Sequence, residues 1–168
     1  MKPLLVFAIL LWPVTAYAVP PLLNGDLVLT RNDAETGNTS PGYWNHVAIV
    51  AVSEGVTYII EAQGGHGVIA VDERKFFERY PKYRIFRYAD RDAGYRAAVA
   101  AWERIGTPYL LTASIRARIR PDGDGDNCVS LVRRAYLKAT GHDFGWRQPD
   151  HLIGILRRQG FVPIHQQE

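Results

Sequence analysis

Residues 45–63 read NHVAIVAVSEGVTYIIEAQ, two runs of strand length separated by a short polar turn. The first run, from His46, is almost continuously apolar and rich in β-branched residues, which suits a strand buried on both faces. With SEGV as a four-residue turn, the two runs form a hairpin in which Val52 lies opposite Thr57. Counting outward places Ala48 opposite Glu61 and His46 opposite Gln63. These four side chains share one face, because strand side chains alternate with period two. A slip of two residues brings Glu61 directly opposite His46, and a slip of one sends it to the other face. Both Glu61 and Gln63 therefore come within reach of the imidazole. Only a carboxylate can also stabilise an imidazolium, whereas an amide can only orient the ring. Ile59 and Ile60 beside Glu61 disfavour a water-facing edge charge without excluding it.

Outward from the hairpin, GDLVLTR at residues 25–31 reads as a strand entered through a turn. Residues 31–44 read as a polar loop punctuated by Gly37, Pro41 and Gly42, long enough to be functional. GVIAVD and YRIFRY are further strands, separated by a helical DERKFFERYP that Pro81 ends. RDAGYRAAVAAWERIG and CVSLVRRAYLKATG are helices closed by Gly106 and Gly141. In the second of these, Cys128, Leu131, Val132, Ala135, Tyr136 and Ala139 form the apolar face, with Arg133, Arg134 and Lys138 expected in solvent. DHLIGILRRQG is a last helix and FVPI a last short strand. Strands come first and helices later, so the expected class is α+β: a mostly antiparallel sheet with helices packed on one side.

The first 18 residues combine Lys2, an apolar run from Leu4 to Trp12, Pro13, and small residues at Ala16 and Ala18. This is the pattern of a secretory signal peptide cut after Ala18. The run is shorter than the roughly 20 apolar residues a permanent span requires. The expectation is one domain over residues 19–168, periplasmic or secreted, without a permanent membrane anchor. The chain of 168 residues carries 20 Lys and Arg against 17 Asp and Glu, interspersed rather than in blocks, which gives no support for a nucleic-acid partner.

The single cysteine, Cys128, cannot make an internal disulfide and is either a small buried hydrophobe or a reactive group. Asp126 or Asn127 is a natural N-cap, which places the thiol in the first helical turn. There the dipole and free N–H groups favour a thiolate and can hold an oxyanion. A cysteine nucleophile needs a base. His66, His142, His151 and His165 lie in glycine-flanked, polar or terminal surroundings. His46 opens the most apolar strand, where an unpartnered imidazole is costly to bury. The preceding DGDGD spaces Asp122, Asp124 and Asp126 as in a calcium loop. Yet Asn127 stands where that motif wants glycine, and Arg133 where it wants a bidentate glutamate. The remaining options for the loop are a weak calcium site of another type or a solvated turn. A non-catalytic calcium-binding module with Cys128 buried is thus the alternative to an enzyme.

Taken in order, GDLVLTR, WNHVAIV, YIIEAQ, GTPY and NCVSLVRRAY resemble the permuted papain-like cysteine hydrolases, the YiiX-like and YebB-like branch of the NlpC-type superfamily, related to lecithin:retinol acyltransferase. The likeness runs over residues 25–164. It implies a circularly permuted papain-like fold in which the histidine strand precedes the cysteine helix, with Cys128 as nucleophile, His46 as base and Glu61 as polar third member. Tyr109, in the matching GTPY element, either lines the site or is a core aromatic. Asn127 and Gln63 join it as candidates for substrate or oxyanion contacts. The family's activities span peptide and amide cleavage, lipid acyl transfer and phospholipid or thioester chemistry. A cell-wall peptide amide is the first expected substrate and a lipid acyl group the second, and the scheme requires no cofactor or metal.

Overall fold

The computed structural model describes residues 20–31, 42–114 and 120–167. The expected signal segment, most of the loop at residues 31–44, and residues 115–119 lie outside the described residues. The hairpin forms as the sequence pattern requires. Strand β2 (His46–Ser53) pairs antiparallel with β3 (Val56–Gln63), with Val52 opposite Thr57 and Ile49 opposite Ile60. The turn is tighter than four residues, because Ser53 and Val56 also pair. Only Glu54 and Gly55 remain, at φ 52° and 79°, the left-handed pair that matches the twist of a two-residue hairpin.

Strand β1 (Leu27–Thr30) lies on the other side of β2, and β4 (Gly67–Asp72) on the other side of β3. Helix α1 (Glu73–Arg79), capped by Asp72, carries the chain away from β4 to β5 (Tyr83–Tyr88), which pairs with β1. Strand β6 (Phe161–Gln167) completes the order β4-β3-β2-β1-β5-β6, antiparallel throughout. β6 is longer than FVPI. Its Pro163 is tolerated because β6 is an edge strand and the ladder shifts register there.

Three helices cover one face of this sheet: α2 (Arg91–Trp102), α3 (Cys128–Thr140) and α4 (Pro149–Leu156). Leu27, Leu29, Val47, Ile49, Ile60 and Phe86 meet Leu131, Val132, Tyr136, Leu152 and Leu156 there. Alanines at positions 93, 97, 98 and 101 let α2 approach closely. At Gly25, φ is +85° and an added Cβ would strike the backbone of Gly94, so this contact admits no side chain. The opposite face is covered by α1, whose Phe76 and Tyr80 pack on Val28, Ala48, Val50, Ile59 and Ile85. The α+β class and the antiparallel sheet are as expected. The one-sided arrangement describes the longer helices, while short α1 takes the other side.

One expectation is overturned. Arg133 and Arg134 are buried, 4% and 6% exposed, and only Lys138 stays in solvent. The loops flanking α3 fold back over its polar side and supply partners. Asp143 and the Trp146 carbonyl accept from the Arg133 guanidinium at 2.6 and 2.9 Å, and Asp126 accepts from Arg134 Nη1 at 2.6 Å. Burial is tolerated because each charge is paired and hydrogen-bonded.

Candidate active site

Cys128 is the first residue of α3 and 6% exposed. Asn127 caps the helix through a reciprocal pair, its Oδ1 accepting from Ser130 N and Ser130 Oγ accepting from Asn127 N, both at 2.9 Å. Asn127 Nδ2 donates to the Leu111 carbonyl at 2.9 Å, so this side chain fixes where the helix begins. First-turn N–H groups have no partner within a helix, and this start places them beside the thiol.

His46, the first residue of β2, is fully buried. Its Nε2 lies 2.8 Å from Glu61 Oε2, and Cys128 is the other side chain that favours the charged ring. With Nε2 on the carboxylate, Nδ1 is the nitrogen left for the thiol. Burial opposes a charge on the ring. The hydrogen bonds and charges of Cys128 and Glu61 outweigh it, and the imidazole pKa is pushed up to about 10.

Glu61 is also fully buried, which removes the water-facing alternative. Arg79 Nη1 donates to its Oε1 at 2.8 Å and the Tyr80 hydroxyl to its Oε2 at 3.2 Å. Burial alone would raise its pKa. The hydrogen bond and charge of His46, the charge of Arg79 and the Tyr80 hydroxyl together hold it below the usual glutamate range. The Tyr80 ring lies 5.4 Å from the imidazole, centroid to centroid. Burial and the neighbouring Glu61 charge raise the phenol pKa, so Tyr80 remains a neutral donor.

Tyr109 forms a parallel bridge with Asp126 and packs, half-buried, on the helix-covered core. Burial, and then the charge of Cys128, raise its pKa, which places its hydroxyl in the field of the thiol. Gln63, at the end of β3 opposite Gly67, is half-buried, and Nε2 of His46 is taken by Glu61. His66, His142 and His151 are exposed.

The aspartate loop divides. Asp122 and Asp124 are exposed, whereas Asp126 is fully buried. Its carboxylate accepts from Ser130 Oγ at 2.8 Å, from Arg134 and from Arg104 Nε. Three of the roughly four acceptor sites of this buried carboxylate are filled, and two guanidinium groups already balance its charge, so the calcium-loop reading fails at this residue. Sequence reasoning missed Arg79, Tyr80, Arg104 and Arg134. The only sequence hint was the i, i+4 spacing of Phe76 and Tyr80, which turns Tyr80 toward the sheet.

A model of the permuted papain-like amidase enzymes, YaeF/YiiX, C92 family, matches residues 22–150. The chain belongs to that family. It is therefore a papain-like amidase enzyme of the cysteine hydrolase type. No curated protein matches the chain at significance. Among solved structures, that of "metalloprotein yiiX from Escherichia coli O157:H7" is similar, with 14% identity, 86% of this chain and 97% of that chain covered, and a TM-score of 0.62. That likeness concerns the fold alone. The residues here do not suit a metal centre. Among the described residues no group of three or more His, Cys, Asp or Glu is placed to hold an ion. Glu61 already accepts from His46, Arg79 and Tyr80, and Asp126 from Ser130 and two arginines.

Proposed function

We propose that this C92-family enzyme hydrolyses an amide bond through a thioester formed on Cys128. The observation that carries this reading is the buried imidazole of His46, held by Glu61 at Nε2 and stabilised in its charged form by both Cys128 and Glu61. In the first step His46 Nδ1 takes the Cys128 proton, and Sγ attacks the substrate carbonyl carbon. The oxyanion is held by backbone N–H groups at the start of α3, where the Asn127 cap keeps them in place. The imidazolium then gives its proton to the leaving amine nitrogen as the C–N bond breaks. Water, deprotonated by the same imidazole, attacks the thioester, and the thiol is regenerated as the acid departs. Glu61 fixes the ring orientation and stabilises the imidazolium between these transfers.

The exported location and a cell-wall peptide amide belong to the same proposal. They are supported by the leader-like pattern of residues 1–18 and by the amidase chemistry of the family. Tyr109, in the field of the thiol, lines the substrate approach. Trapping with envelope extract followed by mass measurement tests the scheme. An acyl adduct is expected on Cys128 of the wild type, absent in Cys128→Ala. Turnover retained by Cys128→Ala would overturn it.

A further inference from the structure

We infer that Arg79 is a positioning residue of this site, holding Glu61 ionised and fixed by one oxygen so that the other is presented to His46. The inference rests on the catalytic reading of Cys128, His46 and Glu61 and deepens it. Nothing in the strand pattern points to Arg79. It arrives on the face of the sheet that α1 covers, opposite α2, α3 and α4, in the last turn of α1, and bonds Oε1 of a carboxylate that has no exposure of its own.

Charge balance gives the physical reason. The groups that face one another here are Cys128 from α3, His46 from β2, Glu61 from β3, and Arg79 with Tyr80 from the end of α1. Tyr109 stands near the thiol. When the thiol proton rests on the imidazole, thiolate, imidazolium and carboxylate sum to one negative charge inside the protein. Arg79 brings the cluster to neutrality, and because its side chain is 31% exposed it does so without being fully stripped of water. Without that cation, a buried cluster of net charge −1 favours taking up a proton, and Glu61 is the carboxylate nearest the loss. Geometry adds a second effect. Arg79 occupies Oε1 and Tyr80 shares Oε2 with the ring, so the carboxylate cannot rotate away from Nε2. Tyr80 contributes direction but no charge, and removing its hydroxyl should have the smaller consequence.

The test uses the full chain labelled with 13Cδ-glutamate, the Glu61 resonance being the one lost in Glu61→Gln. Arg79→Met should move the Glu61 titration midpoint up by about one pH unit or more, the size of effect an opposite charge at contact exerts. Arg79→Lys, which keeps the cation, should restore most of the shift, and Tyr80→Phe should move the midpoint less than Arg79→Met. Iodoacetamide labelling of Cys128 should lose its rate at a correspondingly higher pH in Arg79→Met. If Arg79→Met does not fold, Arg79→Gln against Arg79→Lys makes the same charge comparison. A Glu61 midpoint that is the same in the neutral variant and the wild type overturns the inference. The catalytic reading fails separately, through a Cys128 that iodoacetamide does not label in the folded wild type, and the Glu61 titration remains readable in that event.

Discussion

Glutamine at position 61 is the sharpest perturbation of the site, because it keeps the shape of the side chain and removes its charge. The imidazole of His46 is raised from an ordinary 6.5 to about 10 against the opposition of complete burial, and Cys128 and Glu61 are its two supports. Removing the carboxylate removes one support and leaves burial in place, so the ring's affinity for a proton falls. Taking the contribution of one opposite charge at contact as about one to two pKa units, the thiolate–imidazolium pair becomes about 10- to 100-fold less populated relative to thiol and imidazole. The assay is the second-order rate of iodoacetamide labelling at Cys128 near neutral pH, alongside turnover on whatever amide the acyl trap identifies. Both should fall by that factor in Glu61→Gln, with turnover falling as much or more because the ring must also carry charge in the transition state. Thermal unfolding should show a folded protein, since the amide oxygen in the Oε1 position can still accept from Arg79 and the Tyr80 hydroxyl can turn to accept from the amide N–H. Labelling and turnover within about twofold of wild type would refute the reasoning. If Gln63→Ala were slow in the same assay, the orienting role would pass to Gln63.

Four further outcomes follow from other contacts in the fold. Asp126→Asn leaves Arg104 and Arg134 facing an uncharged group in a buried setting and should cost about 3–5 kcal/mol in urea unfolding, whereas Asp124→Ala on the exposed part of the loop should stay within about 0.5 kcal/mol. Calcium should raise the melting temperature of neither the wild type nor Asp124→Ala. Asp143 is held below the usual aspartate range, first by the Arg133 hydrogen bond, so its stabilisation is present above its ordinary pKa and lost as pH falls through the depressed one. Asp143→Asn should accordingly flatten the acid side of the stability profile, and an unchanged profile would contradict the pairing. Gly25→Ala forces a Cβ into the Gly94 backbone at a positive φ, and its thermal midpoint should drop by more than that of an exposed glycine such as Gly64→Ala.

The hairpin shows why part of this site was readable and part was not. Strand alternation is a short-range rule, and it placed His46 and Glu61 on one face before any contact was known. Register did the rest, since Val52 opposite Thr57 brings the carboxylate under the ring on the diagonal. Arg79 and Tyr80 obey no such rule. They reach Glu61 because α1 crosses beneath the sheet between β4 and β5, and the crossing is a property of topology rather than of any window of sequence. The error over Arg133 and Arg134 has the same origin. Helical period correctly set them opposite the apolar stripe of α3, but the period cannot show that the flanking loops return to cover that side.

The same reasoning accounts for the DGDGD segment, which the chemistry of a thiol and a base does not require. Asp126 sits one residue before the cap and is held by Arg134 on α3 itself, by Arg104 just beyond α2, and by Tyr109 through a backbone bridge, so two outside segments are tied to the start of α3. The site depends on two element starts meeting, the first residue of β2 and the first residue of α3. A strand start is fixed by its neighbours in the ladder. A helix start has only its cap and whatever holds the chain entering it, and here the residue that enters it is clamped by two guanidinium groups. The order of the two elements along the chain is then immaterial to the geometry, which is the physical reason a permuted chain can present the thiol to the imidazole at all.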